Sequence, residues 1–376
     1  MTIKKILATL LALSMTLSLA ACGGNSTQTD TAAPSEQTEQ TEESSSVSDE
    51  SASDETTAEN TETETPADET EASEPAEKVD INLAALSGPT ALGMLDLLEK
   101  NENGEAANNY NVTIATAPDE VTGKIISGEL DIAAVPTNVA STLYNKTEGQ
   151  VQIAALNTMG VLYVLETGDT IQSVADLAGK TIYATGQGST PEYALNLVLE
   201  KNGLTPGEDV EIVFAADNAE IAPLLASGEA QVALLPQPFV SSVLTQNENV
   251  RVALDLTEEW DKAVNGESGL TMGCVVVRKE FAEQNKEALD RFLDEYKQSV
   301  ETVTSEEGLA HAAELAEHYN IIKAAVAEKA IPECNIVFVE GDEMQQIAGG
   351  FLQVLYDANP QAVGGQLPND DFYYKR

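Results

Sequence analysis

Two short stretches of the chain combine glycine, hydroxyl and proline as a loop holding a small polar molecule would: Ser87-Gly88-Pro89-Thr90 and Thr185-Gly186-Gln187-Gly188-Ser189-Thr190-Pro191-Glu192. Each follows an apolar run and precedes residues with helical spacing, so each should turn a strand into a helix. The first N–H groups of a helix have no partner within it and can take carboxylate, sulfonate or nitro oxygens. In the second stretch Ser189 is the expected N-cap, Glu192 closes an expected capping box, and Pro191 is tolerated in the first turn. Gln187, Gly188, Ser189 and Thr190 are therefore candidate ligand contacts, with Ser87, Gly88, Pro89 and Thr90 as their counterparts. Gly186 and Gly188 begin a dinucleotide fingerprint, but Pro191 stands where its third glycine belongs. No Gly-Lys-Ser/Thr follows for a P-loop.

Gln237-Pro238-Phe239 offers a polar edge and a ring face, and Thr137 with Asn138 offers polar edges to set against them. Turn formation and core packing are the ordinary roles of such residues. Met159 is a further lining candidate, while Tyr163 and Trp260 fit a core at least as well. None of the four arginines (Arg251, Arg278, Arg291, Arg376) lies in these loops, which leaves zwitterions and neutral heteroaromatic rings open beside anions.

Catalytic sets are sparse. There is no Gly-x-Ser-x-Gly, and the two histidines, His311 and His318, share a helix face with Glu314 between them. That spacing reads as a solvated face rather than a metal site. Glu267 and Asp217 are the carboxylates to test as the base of an enzyme. Cys274 and Cys334 read as free, buried thiols. No metal and no cofactor are expected.

The elements that must position these residues are short apolar runs: Ile81–Leu86, Val112–Ala115, Ile132–Val135, Ile153–Leu156, Leu162–Leu165, Thr181–Ala184, Glu211–Phe214, Val232–Leu235 and Cys274–Val277. Helical patterns lie between most of them, one running from Ala91 to Lys100, which implies α/β architecture with parallel sheets. A repeat organises them. Ser127-Gly128-Glu129-Leu130-Asp131-Ile132-Ala133-Ala134-Val135-Pro136, followed by Thr137 to Ser141, returns as Ser227-Gly228-Glu229-Ala230-Gln231-Val232-Ala233-Leu234-Leu235-Pro236, followed by Gln237 to Ser241. In each copy glycine should cap a helix in the left-handed conformation and proline should end a buried strand. The residues after each proline then stand at a strand's carboxyl end, where open α/β sheets bind ligands.

Composition narrows the function classes. Nineteen Lys and Arg stand against 63 Asp and Glu, a net charge of −44, which repels nucleic acid. Lys4 and Lys5 precede an apolar run from Ile6 to Ala21, a secretory leader over residues 1–21. Its end, Leu19-Ala20-Ala21-Cys22-Gly23, resembles the lipobox of bacterial lipoproteins, which implies that Cys22 becomes a lipidated N-terminus. Residues 22–78 are rich in Ser, Thr, Glu and Ala, with Val47 as the only large aliphatic after Cys22 and before residue 79. Such a segment buries too little apolar surface to fold and is expected to be a lipid-anchored acidic tether.

From residue 79 onward the pattern resembles a type II periplasmic-binding-protein fold, two Rossmann-like lobes joined by two crossings, in the branch associated with nitrate, sulfonate, taurine and thiamine-pyrimidine uptake. The repeat carries the resemblance. So do Asp176-Leu177-Ala178-Gly179-Lys180-Thr181-Ile182, similar to the turn that opens the second lobe, and Cys274-Val275-Val276-Val277-Arg278-Lys279-Glu280-Phe281, similar to the returning strand. It implies lobe 1 in residues 79–168, lobe 2 in 169–268, and a return to lobe 1 with C-terminal helices in 269–376. The crossings are expected near Glu166–Gln172 and Gly266–Gly273. The implied function is an extracellular, membrane-anchored, monomeric lipoprotein that captures a small polar or anionic organic solute for the permease and ATPase subunits of an ABC importer. A solute sensor for a membrane receptor, and less readily an enzyme on the same fold, are the alternatives.

Overall fold

A computed structural model describes residues 77–376; the expected leader, the lipidation site Cys22 and nearly all of the 22–78 tether lie outside them. Among the described residues eleven strands form, in chain order β1 (Asp80–Leu86), β2 (Asn109–Ala115), β3 (Ile132–Pro136), β4 (Val151–Met159), β5 (Leu162–Thr167), β6 (Thr181–Ala184), β7 (Glu211–Phe214), β8 (Val232–Pro236), β9 (Val250–Asp255), β10 (Thr271–Arg278) and β11 (Ile336–Val339). They make two sheets, β11-β4-β10-β3-β1-β2 and β7-β6-β8-β5-β9. Among the described residues no helix is long and apolar enough to cross a membrane.

The sheets are mixed rather than parallel. In lobe 1, β1, β2 and β3 run together while β10 lies antiparallel between β3 and β4. Lobe 2 repeats the device, with β6, β7 and β8 parallel and β5 antiparallel beside β8. On β10 and β5 the chain enters a lobe from the other one, so they arrive from the opposite end of the sheet; the edge strand β11 is reversed as well.

Strand alternation sends Ile81, Leu83, Ala85, Val275 and Val277 to one face of the first sheet, where they pack with Phe292 and Tyr296 of the helix Lys286–Thr304. Ala84, Leu86, Ala133, Val135 and Val276 go to the other, against Phe351 and Leu355 of the helix Gly341–Ala358. Burial on both faces explains why these strands read as unbroken apolar runs. The edge strands β9 and β11 are only partly buried, and neither stands out in the sequence.

The expected helix over Ala91–Lys100 is two helices, Pro89–Leu92 and Leu95–Glu102. Gly93 lies at the break because a Cβ there would come within 3.1 Å of Ile336 Cγ2 and Tyr296 Oη. Buried Ser299 bridges the break, its hydroxyl donating to Gly93 O (2.8 Å) and accepting from Leu97 N–H (3.1 Å).

The first crossing is not at Glu166–Gln172. The chain leaves the first sheet at Met159 and joins the second at Leu162, so it crosses at Gly160–Val161, and β5 belongs to lobe 2. Glu166 instead sits deep in lobe 2, where its carboxylate accepts from Thr170 N–H (2.8 Å) and Ile171 N–H (3.1 Å) and pairs with Arg251 (2.9 Å). The chain returns between Ala263 and Thr271, a span that overlaps the expected Gly266–Gly273.

Candidate functional site

The repeat folds alike in both lobes. Gly128 (φ 82°) and Gly228 (φ 75°) cap their helices in the left-handed conformation, and Pro136 and Pro236 are the last residues of β3 and β8. Pro236 lies in register with Leu162, the first residue of β5, and Pro136 with Gly273 near the start of β10. Each proline-ended strand therefore stops beside a crossing, and the loops that follow flank the junction of the lobes.

A cavity of about 360 Å³ lies there. Lobe 1 contributes Leu86, Ser87, Gly88, Pro89, Thr90 and Pro136; lobe 2 contributes Pro236, Gln237, Pro238 and Phe239; Thr158 near the end of β4, Val161 of the first crossing, Met272 near the start of β10 and Ile321 complete the wall. No ionisable side chain lines it. Thr90 donates its hydroxyl to Leu86 O (2.8 Å), closing its own turn. Gln237 is 3% exposed; its N–H donates to Val161 O (2.9 Å) and its Oε1 accepts from Ser241 N–H (3.2 Å) and Ser241 Oγ–H (2.9 Å). The Gln237–Pro238 peptide is cis. The N–H groups of Gly88, Thr90 and Phe239 have no partner among the described residues.

Six of the sequence-level candidates are thus brought together: Ser87, Gly88, Pro89, Thr90, Gln237 and Phe239. The others lie elsewhere. Thr137 is buried, its hydroxyl 3.1 Å from that of Thr271. Asn138 turns away, its amide donating to Ala362 O (3.5 Å), because the helix Thr137–Lys146 packs against the C-terminal segment. Met159 packs beside Gly269, where a Cβ would meet its Cε at 2.7 Å.

Gln187, Gly188, Ser189 and Thr190 do not line the cavity. Ser189 occupies the N-cap position, yet the capping box does not form. Its hydroxyl donates back to Gly186 O (2.7 Å), while Glu192 reaches one residue further and accepts from Gly188 N–H (2.5 Å). This loop answers its own exposed donor with its own carboxylate.

Leu86, Pro136, Thr158, Val161, Pro236, Met272 and Ile321 were not foreseen as lining residues. The prolines were marked as strand ends by the repeat, whereas Ile321 comes from a distant C-terminal turn and left no signal. Tyr163 and Trp260 are core: Tyr163 Oη donates to Glu333 O (2.9 Å) and Trp260 Nε1 to Ser268 O (3.2 Å). Burial pushes the Tyr163 phenol up. Glu267 and Asp217 do not line the cavity; Asp217 caps the helix Asn218–Ser227. His311 and His318 are exposed and meet Glu99 and Glu102. Cys274 and Cys334 are free and buried. Among the described residues no cluster of His, Cys, Asp and Glu could hold a metal ion.

The lobes touch on both flanks of the junction. Lys329 Nζ donates to Thr245 Oγ1 (3.2 Å) on one side, and Asn359 Nδ2 to Tyr193 Oη (2.8 Å) on the other. A larger hollow of about 800 Å³ follows the helices Thr190–Lys201 and Gly341–Ala358, but none of the loops after the proline-ended strands reaches it.

The family model described as the periplasmic substrate-binding protein of phosphonate ABC transporters matches residues 96–328. No curated protein matches the chain in sequence. Among solved structures, an ABC transporter from Parabacteroides distasonis is 25% identical with a TM-score of 0.67, over 79% of this chain and 99% of that one. The periplasmic aliphatic sulphonate binding protein SsuA from Escherichia coli is 15% identical (TM-score 0.63, 79% and 92% covered). The periplasmic nitrate-binding protein NrtA from Synechocystis PCC 6803 is 13% identical (TM-score 0.51, 76% and 84% covered). The last two likenesses are of fold alone.

Proposed function

We propose, from the premise that the chain belongs to the phosphonate-type periplasmic substrate-binding family of ABC transporters, that it captures a small ring-bearing solute of little or no net charge for import. Its family and its type II periplasmic-binding-protein fold are those of transport solute-binding proteins. The observation that carries the narrower reading is the lining of the junction cavity, which is mostly apolar and holds no cation. A doubly ionised phosphonate buried there would lose its hydration without an opposite charge, at a cost of several kcal/mol. The net charge of −44 repels such an anion before it arrives.

A neutral ring meets a better surface. Phe239 supplies an aromatic face, and unpartnered N–H groups at Gly88, Thr90 and Phe239 supply donors for an electron-rich edge. About 360 Å³ falls within the roughly 300–1,000 Å³ of small-molecule sites. Capture would shift an open–closed equilibrium of the lobes about Gly160–Val161 and the return between Ala263 and Thr271. A lipid on Cys22 would keep the protein at the membrane face, beside the permease it serves.

A thermal-shift screen of the purified protein tests the reading against pyrimidines, alkanesulfonates, nitrate and alkylphosphonates. A pyrimidine-sized neutral ring at 100 times its Kd should add about 2.7 kcal/mol of stability, and Phe239→Ala should weaken binding by about tenfold or more. Stabilisation by alkylphosphonate alone, unaffected by Phe239→Ala, would overturn it.

A further inference from the structure

Gln237 has two of its polar groups already committed, in three hydrogen bonds. Its N–H ties the loop to the first crossing at Val161 O, and its Oε1 accepts twice from Ser241. A side-chain amide is usually free to exchange its oxygen and nitrogen by a flip. Here it is not, because one of the groups facing it is the Ser241 backbone N–H, which can only donate. Flipping would set N–H against N–H and break the backbone hydrogen bond inside a region where Gln237 is 3% and Ser241 5% exposed, although the Ser241 hydroxyl could turn to accept.

That leaves Nε2 with two hydrogens and no partner among the described residues. It is not one of the buried atoms sealed from solvent without a partner, so it borders open space. Gln237 lines both the junction cavity and a hollow of about 480 Å³ beside it. The other copy of the repeat has nothing equivalent. Thr137 stands in place of Gln237, and Ser141 donates to Val363 O (2.8 Å) instead.

We infer that Gln237, pinned by Ser241, selects the solute by presenting a fixed pair of N–H donors, so that the molecule captured meets lobe 2 with an acceptor edge such as a ring nitrogen or carbonyl oxygen. The inference rests on the cavity being the binding site. A donor edge would leave both its own hydrogens and those of Nε2 unpaired, and a site built around one polarity rejects the other strongly.

Ligand-observed NMR titrations of the purified protein test this with single-ring probes: pyridine and pyrimidine as acceptors, pyrrole and aniline as donors. The acceptors should bind about tenfold or more tighter than the donors. Gln237→Glu keeps an oxygen for Ser241 and replaces the N–H pair with oxygen, so the order should invert. Ser241→Ala removes the hydroxyl but keeps the backbone N–H that forbids the flip, so the preference should persist. Equal binding of both classes by the unaltered protein would overturn the inference while leaving the cavity reading intact. A preference left unchanged by Gln237→Glu would equally overturn it. Binding of neither class would remove the cavity reading and this inference with it. Should Gln237→Glu fail to fold, Gln237→Met, which carries no N–H pair and should lose the preference, decides the question with the unaltered protein.

Discussion

Gly160 is half of the first crossing, and the space around it sets what a methyl group there would do. A Cβ would lie 2.1 Å from Thr257 Oγ1, 3.0 Å from Thr257 Cβ and 3.1 Å from Leu270 Cδ2. Comfortable carbon contacts begin near ~3.5 Å, so the start of the helix Leu256–Ala263 would have to retreat by about an ångström. That helix is held in place: Asp255 Oδ1 accepts from Thr257 N–H at 2.8 Å and Trp260 is fully buried. Overpacking of this kind costs about 1–3 kcal/mol, which for a domain of this size lowers Tm by roughly 2–5 °C. Thr257 Oγ1 is buried without a partner, so Thr257→Ala sacrifices no hydrogen bond and should change stability little. Adding it to Gly160→Ala should recover more than half of the loss. Recovery stays incomplete because the two Cβ atoms remain 3.0 Å apart. Circular-dichroism melts of the four proteins in the cycle provide the assay. A Gly160→Ala protein within about 1 °C of the parent, or a double variant no better than the single, would refute the steric argument.

Ser299→Ala should cost about 1–3 kcal/mol in urea unfolding, because it strands Gly93 O and Leu97 N–H in a fully buried site; a loss below a few tenths would show that the break is held otherwise. The hydrogen bond that His311 donates to the Glu99 carboxylate raises the His311 pKa above 6.5, with the charges of Glu99, Glu314 and Asp96 adding to it. A raised folded value means that the stabilisation is full below the ordinary value and is lost as pH rises through the higher one. The urea midpoint should therefore fall between pH 6 and 8 more steeply in the parent than in His311→Gln, and equal slopes would count against the pairing. Burial pushes the Cys334 thiol up to about 12, helped by Glu333, and raises that of Cys274 as well. A disulfide reagent should therefore label neither in the native protein and both after denaturation; prompt native labelling of either would contradict their burial.

Central strands were legible because burial on both faces writes an uninterrupted apolar run, as in Ile132–Val135 and Val232–Leu235. The edges β9 and β11 alternate or expose their residues and were missed. The repeat was legible for a local reason: a left-handed cap needs glycine and a ladder ends at proline, whatever surrounds them. Pro136 and Pro236 do reach the cavity wall. Where distant residues decide, the reading failed. Asn138 is oriented by Ala362, and the turn after β5 is closed by Arg251, more than eighty positions away, so it looked like a crossing. At Gly188 the miss was a single residue: Glu192 reached past the serine that a capping box would use.

The reversed strand β10 has a consequence for the order of assembly. It lies between β3 and β4, and without it the first sheet separates into β3-β1-β2 and β4-β11. Lobe 2, by contrast, takes all five of its strands from one unbroken stretch, β5 to β9. Its widest pairing, β5 with β9, spans at most about ninety residues, whereas pairing β10 with β3 spans well over a hundred and needs the whole second lobe to have been made first. The second lobe can therefore be complete while the first is still in two pieces, and lobe 1 is locked only when the chain has been made as far as Arg278. The strand that returns from the crossing is thus also the keystone of synthesis, and a truncation just before Thr271 would leave one finished lobe attached to an open sheet.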